Sequence, residues 1–316
     1  VRIQKQAVMN TGEKPYFARL SKDLKKNMSL YLLVIPVIAF YIIFCYKPIY
    51  GAVIAFKDFS PGKGIWGSTW VGLDNFIDFF TSRYFVRTVL NTLRISVFSI
   101  IFGFPAPIIF ALLMNELKNR HFAKTVQTIT YMPYFVSLVV ICGIIKIFVG
   151  GDGIINLLMA SFGMKIGNLL NEASAFVPIY IISDIWQGVG WGSIIYLAAI
   201  AGIDQQVYEA AYIDGAGRWK QTIHVTIPGI MPTIITLLIL RLGSVMNVGF
   251  EKIILLYNPL TYETADVISS FVYRAGLQDF KYSFSTAVGL FNSAINFALV
   301  VCANTLSKKF NDIGLW

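Results

Sequence analysis

Six stretches of this chain are so long and so apolar that a membrane-spanning helical fold is the natural way to accommodate them. They cover residues 29–47, 88–115, 124–149, 176–201, 230–250 and 284–307. About 20 residues rising 1.5 Å each cross a hydrocarbon layer of about 30 Å, and a helix satisfies its own backbone hydrogen bonds there. Charged residues make up 14% of the chain and hydrophobic ones 56%, whereas a soluble domain carries about 25% charged residues. The pattern predicts an all-α integral membrane protein with six transmembrane helices. The first run begins near Leu30 after a basic tail, and no small-residue cleavage site follows, so it is expected to remain as an anchor.

Two runs carry features that disturb a straight helix. Phe104-Pro105-Ala106-Pro107 predicts a kink or break in the second, because a proline removes a donor and crowds the preceding turn. Gly188, Gly190 and Gly192 in the fourth permit close helix approach or local unwinding. Ahead of the spans, residues 1–28 read as a separate tail. Phe17, Leu20, Leu24 and Met28 recur at helical spacing, with Arg19, Lys22 and Lys26 on other faces, which suits a helix lying on an anionic membrane surface.

The net charge of +9 follows from topology and not from nucleic-acid binding. If spans alternate, the N-terminal tail, the loop with Lys118, Arg120 and Lys124, the loop with Arg218 and Lys220, and the tail with Lys308 and Lys309 share one side. They hold seven, three, two and two basic residues, 14 of the chain's 26. By the positive-inside bias both termini are cytoplasmic. The opposite segments, 48–87 and 251–283, are longer and mixed in charge. The former contains Trp66, Trp70 and an amphipathic stretch over residues 72–80, and the latter reads as an ordered loop. Cys45, Cys142 and Cys302 all lie in apolar runs, which predicts buried thiols and no disulfide framework. His121 and His224 are far apart and support no metal site.

One polar island interrupts this pattern, over residues 204–228. It contains Glu209-Ala210-Ala211-Tyr212-Ile213-Asp214-Gly215-Ala216-Gly217-Arg218 and runs on to Val225-Thr226-Ile227-Pro228. The residues predict a short helix, a turn in which Gly215 and Gly217 can take positive φ, and a second helix that Pro228 ends. Glu-Ala-Ala, three residues, Gly, nine residues, then aliphatic, any residue, aliphatic and Pro resembles the cytoplasmic signature of ATP-binding-cassette importer permeases. The resemblance extends over about residues 28–316, through Pro107 to Leu117, Tyr131-Met132-Pro133-Tyr134-Phe135, Ile185-Trp186, Ile203-Asp204, Gly249-Phe250-Glu251 and Val288-Gly289-Leu290-Phe291. These segments look like the maltose-type carbohydrate-uptake permeases, in the subgroup that handles oligosaccharides from polysaccharides such as alginate or pectin. The chain departs from the best-known maltose permease in lacking extra N-terminal spans and a large external domain.

The resemblance implies the fold of a type I importer transmembrane domain (MetI-like), here residues 29–316, in a bacterial cytoplasmic membrane. It implies a heterodimer with a second homologous permease, two copies of a cytoplasmic ATPase that carry the ATP and Mg, and an extracytoplasmic solute-binding protein that delivers an oligosaccharide. The chain itself carries no catalytic residue and no cofactor in this reading. Gly62-Lys63 is followed by Gly64 in an external segment and fails as a phosphate-binding loop. Carried over from the family, Glu209 partners a basic group on the ATPase and Gly215 forms the close-contact turn. Ala210 and Ala211 allow tight packing, and Asp214 and Arg218 cap or brace the turn before Pro228. For Asp214 a local turn hydrogen bond serves as well.

Candidates for the solute path come from the spans. Asp184 and Arg241 lie well inside theirs, where lipid exposure of a charge costs about 2.5–3.5 kcal/mol, so they pair, line a water-filled path, or both. Saccharides present apolar C–H faces and demanding hydroxyls. Trp186, Gln187 and Trp191 beside Asp184 offer matching aromatics and amides; Tyr134, Asn247, Asn292 and Asn296 can join them, and Glu251 closes the fifth span at the path mouth. Tryptophan stripes also serve simply as packing. Two other readings compete: a permease for a non-sugar solute, and an ion-gradient-driven transporter, which needs paired broken helices and acidic coupling groups at the midplane. An embedded enzyme needs a His, Asp or Cys cluster at one membrane face, which the sequence does not offer.

Overall fold

A computed structural model describes residues 26–163, 167–311 and 314. The amphipathic helix expected before Met28 lies outside them. The chain divides into two compact units, residues 1–53 and 54–316. The described part of the first is a helical run starting with α1 (Met28–Phe40) and continuing through a widened π turn, Tyr41–Tyr46. None of its large apolar side chains is buried within the chain, as befits a helix with lipid or another subunit for a neighbour.

The second unit is almost entirely helical. A short antiparallel ribbon pairs β1 (Lys57–Asp58) with β2 (Thr69–Trp70) and leads into the amphipathic α2 (Asp74–Thr81), whose Phe79 is buried. The second span runs from α3 (Phe85–Phe98) through a π turn, Ser99–Gly103, into α4 (Pro105–Asn115). The kink expected at Pro105 is therefore absorbed by a wider turn, which relieves the clash between the ring and the preceding carbonyl. The same pairing recurs twice: Tyr41–Tyr46 precedes Pro48, and Thr222–Thr226 precedes Pro228.

Two expected spans and one expected helix end need correction. The third does not run continuously over 124–149. Pro133 and a 3₁₀ turn end α5 (Arg120–Tyr131), and Ser137 caps a new helix, α6 (Leu138–Val149), which is followed by α7 (Ile154–Ser161). The apolar segment long enough to span is thus Leu138–Ser161. The fifth ends at Leu242, not 250: α8 (Ile227–Leu242) gives way to turn and coil over 243–249 before α9 (Phe250–Leu256). Pro228 does not end the helix it follows, since Arg218–Leu242 is one helical run of 25 residues. The π turn before it, Thr222–Thr226, gives the ring room.

The fourth span, α10 (Ala173–Ala201), is unbroken through its glycines. Close approach, not unwinding, is the use of two of them: a Cβ on Gly190 would run into the Thr130 carbonyl oxygen and one on Gly192 into the Pro107 ring at 3.1 Å, whereas Gly188 has open space beside it. The chain then bends by 71° into α11 (Gln205–Ile213), and it closes with α12 (Tyr282–Asn311). Of the three cysteines only Cys142 is buried; Cys45 and Cys302 face outward from their helices, because a membrane protein's apolar runs have two solvents to satisfy.

The end of the second unit that carries residues 57–84 and 257–281 is capped by an ionic knot. Asp266, fully buried, accepts hydrogen bonds of 2.7 Å from Arg87 at the start of α3 and from Arg274, and one of 2.9 Å from Ser270. Asn91 donates to the Asp266 and Glu263 carbonyls. Burial works against the Arg274 charge, but its hydrogen bonds to Asp266 and Tyr257 more than offset this and hold it above its ordinary pKa. Sequence reading passed over this knot, since its members are spread across segments that look like loop.

Candidate functional site

Two constructions stand out, one at the end of the bundle opposite the ionic knot and one inside it. The first is the polar island. Asp204 caps α11 by accepting from the Gln206 N–H at 2.9 Å, and Gly215 takes φ +75°, as the turn requires. Gly217 keeps negative φ and starts the next helix instead. The Ala216 N–H returns to the Ala211 carbonyl at 2.9 Å, Gln221 donates to the Ala216 carbonyl, and Tyr208 meets the Thr226 hydroxyl at 2.9 Å. A helix–turn–helix held by so many short-range bonds moves as one piece.

Its attachment is specific. Arg218 reaches the Glu116 carboxylate at 3.3 Å, tying the turn to the end of the second span. Asp214 ends α11 through its backbone alone, and no side-chain cap from it is seen. Glu209 and Ala210 are exposed on α11, Ala211 is half-buried, and Pro228 is exposed where the element joins the span. Around them the tip presents bare apolar groups: Ile213 is 83% exposed and Trp219 77%. Sequence reasoning missed these two, although an Ile and a Trp in an otherwise polar loop carry the signal. Large exposed aromatic and aliphatic groups on a rigid scaffold are what a protein partner buries.

The second construction is a set of three cavities among the spans, each with polar groups in its wall. A cavity of about 500 Å³ is lined by Phe250, Tyr273, Tyr282, Ser285, Thr286 and Asn292, among others. Asn292 donates to Asn247 Oδ1 at 2.8 Å, Asn296 donates to the same oxygen at 3.2 Å, and Asn296 Oδ1 accepts from the Met246 N–H. These bonds hold the coil 243–249 against α12. Asn247 in turn lines a second cavity of about 210 Å³, with Tyr180, Asp184, Arg241 and Ser96. Asp184, Arg241, Ser99 and Ser244 continue into a third, of about 430 Å³, between α10, α4 and α8. Buried Asn292 keeps its own Oδ1 without a protein partner.

Asp184 and Arg241 do not form an ion pair with each other. Asp184 meets Lys252 at 3.4 Å, and Arg241 donates to the Ser99 hydroxyl at 2.6 Å. The break after Leu242 is the reason, since it turns the chain inward and buries Lys252 to 3% exposure beside the Tyr180 ring. A lone lysine in the apolar run Lys252-Ile253-Ile254-Leu255-Leu256 was the overlooked signal. Glu251 beside it is exposed at the first turn of α9. The aromatic candidates lie elsewhere: Tyr134 stacks on Trp191 at 4.7 Å, and neither they nor Trp186 and Gln187 are among the residues lining these cavities.

Comparison with known proteins places this arrangement. Residues 103–312 match the family described as binding-protein-dependent transport system inner membrane component. The chain is 45% identical over 294 residues to Protein LplB of Bacillus subtilis (strain 168), covering 93% of this chain and 92% of that one. It is 44% identical over 300 residues to the polygalacturonan/rhamnogalacturonan transport system permease protein YteP of the same organism, with 94% and 93% covered. A chain in the crystal structure of a bacterial alginate ABC transporter in complex with an alginate pentasaccharide-bound periplasmic protein superposes with a TM-score of 0.87. It is 43% identical, and 94% of this chain and 100% of that one are covered. An exposed, braced helix–turn–helix and cavities between the spans fit what an importer permease requires. The chain belongs to the inner-membrane components of binding-protein-dependent transport systems, as a multi-pass permease subunit of an ABC transporter.

Proposed function

We propose that this permease imports oligosaccharides released from polysaccharides, handed over by an extracytoplasmic binding protein and driven by a separate ATPase. The observation that carries the reading is the braced element 204–228, a rigid body with an unburied apolar tip and no nucleotide-binding loop in its own chain. In this reading both termini and that element are cytoplasmic, and two ATPase copies bind this chain and a second, homologous permease. Ile213 and Trp219 enter the ATPase cleft, Glu209 meets a basic group there, and Gly215 lets the backbone approach. Closure of the ATPase pair pulls the element and, through the Arg218–Glu116 link and the continuous Arg218–Leu242 helix, shifts the second and fifth spans.

The solute then moves past side chains that suit a sugar. Asn292 offers an unpaired buried oxygen to a hydroxyl; Phe250, Tyr273 and Tyr282 present ring faces to C–H faces; Asp184 and Arg241 line the deeper cavities. Asn247 and Asn296 hold the route's wall. The names of the relatives, one a polygalacturonan/rhamnogalacturonan permease and one part of an alginate transporter, support an oligosaccharide as the solute.

Native mass spectrometry of the gently extracted complex tests the assembly. One copy with one similar-sized permease and two ATPases is expected, and Glu209→Ala should lower uptake. A lone chain or a homodimer without ATPase in every mild detergent would instead support a gradient-driven transporter.

A further inference from the structure

The three cavities among the spans differ in charge. No charged residue lines the Asn292 cavity. The other two share one charged pair, Asp184 and Arg241, and no other charged residue lines either of them. Left to themselves, a carboxylate and a guanidinium on one wall would cancel. Here they do not, because Asp184 is answered from outside the cavities. The Lys252 ammonium meets Asp184 Oδ1 at 3.4 Å, donates to the Tyr180 carbonyl at 3.3 Å and lies over the Tyr180 ring at 4.9 Å. Its side chain is 4% exposed, against 42% for Asp184, and it lines none of the three cavities.

Arg241 is left as the uncompensated charge. It donates to the Ser99 hydroxyl and forms no ion pair among the described residues. A hydroxyl occupies one of a guanidinium's five donors and none of its charge. The remaining fork matches a carboxylate in two parallel hydrogen bonds. An unpaired Asp184 would compete for Arg241 and repel any anion that came to it. The Lys252 charge acts with opposite sign from almost the same place, so most of that repulsion is removed. Ser96, Ser244 and Asn247 line the same small cavity and suit the hydroxyls of a sugar. Stability is a weak reason for such a lysine, since apolar residues can replace a buried ion pair at little or no loss.

We infer that the solute carries a carboxylate, that Arg241 receives it where it lines both deeper cavities, and that Lys252 sets this preference by neutralising Asp184. Lys252 is a positioning residue, because it acts through Asp184 and not on the solute. The inference rests on the oligosaccharide reading above and narrows it to acidic sugars.

Trigalacturonate and its fully methyl-esterified form share their rings and differ in charge. The test compares their equilibrium binding, by calorimetry, to the complete importer in nanodiscs without binding protein. The wild type should hold the acid on the order of tenfold more tightly, as a charge-assisted hydrogen bond allows. Arg241→Gln should bring the ratio to about one. Lys252→Met, which nearly keeps the side chain's length, should do the same, because the freed Asp184 then cancels Arg241. Adding Asp184→Asn to Lys252→Met should restore the wild-type preference, and Lys252→Arg should keep it. A Lys252 that served only as packing would weaken both sugars alike and gain nothing from the second substitution; that result overturns the inference. Equal binding of the two forms by the wild type does so too. If the Lys252→Met protein does not assemble, Asp184→Asn alone decides: the acid preference should rise above wild type, and an unchanged ratio overturns the inference. Where a saccharide-loaded binding protein stimulates the ATPase and charge makes no difference, only the assignment to acidic sugars fails. A complex with neither an ATPase nor saccharide binding takes the importer reading with it.

Discussion

The two ends of the second unit are held together by opposite means. At the knot end a fully buried carboxylate gathers two guanidiniums, a serine and the start of α3 into one cluster. At the other end the coupling element is tied to the second span by an ion pair whose side chains remain 58% and 39% exposed, and its apolar tip is bare. Charge in a dry setting makes a rigid joint, because removing one partner strands the rest; charge in a wet setting makes a soft one. The lesson is mechanical. The knot locks its end of the unit in one arrangement, whereas the coupling element is rigid within itself, continues into the fifth span as one helix and is joined to the second span by a soft pair.

The contrast can be broken most forcefully at the knot. Asp266→Ala leaves Arg87 and Arg274 without their shared carboxylate, and should destabilise the protein by about 3–5 kcal/mol, read as a large drop in thermal unfolding temperature. At the opposite end, Ile213→Ser with Trp219→Ala should leave thermal stability unchanged while costing about 2 kcal/mol, or roughly 30-fold, in ATPase affinity. A drop in stability there would mean that the tip is core and not docking surface.

Between the two ends, Asn292→Ala removes one amide from the proposed solute route and should raise the apparent KM for uptake about fivefold, the worth of one neutral hydrogen bond, with ATPase assembly intact. The smallest effect is expected from Arg218→Ala, below about 1 kcal/mol in stability and fading with added salt. If Arg218→Ala proves as damaging to stability as Asp266→Ala, the wet and dry distinction fails.

Much of this was legible before any coordinates. The apolar runs announced a helical membrane protein, and the spacing of Glu209, Gly215 and Pro228 pointed to the helix–turn–helix of an importer permease. Asn247, Asn292 and Asn296 were also singled out one by one, because an amide in an apolar run demands a partner wherever the chain folds. Their union was not legible: Asn247 joins Asn292 only because the fifth span stops at Leu242 and the coil behind it leans on α12.

Local pattern settles what each segment must do against lipid or water, since hydropathy and proline act within a turn or two of themselves. It therefore decided the class of fold, the presence of the spans and the helix–turn–helix of the polar island. Which charge finds which partner is a long-range matter. Asp184 took Lys252 from 68 residues away and left Arg241 to Ser99; Arg87 and Arg274 met over Asp266, the former 179 residues distant in the chain. A buried charge accepts whichever counter-charge the packing delivers, and only the tertiary structure delivers it.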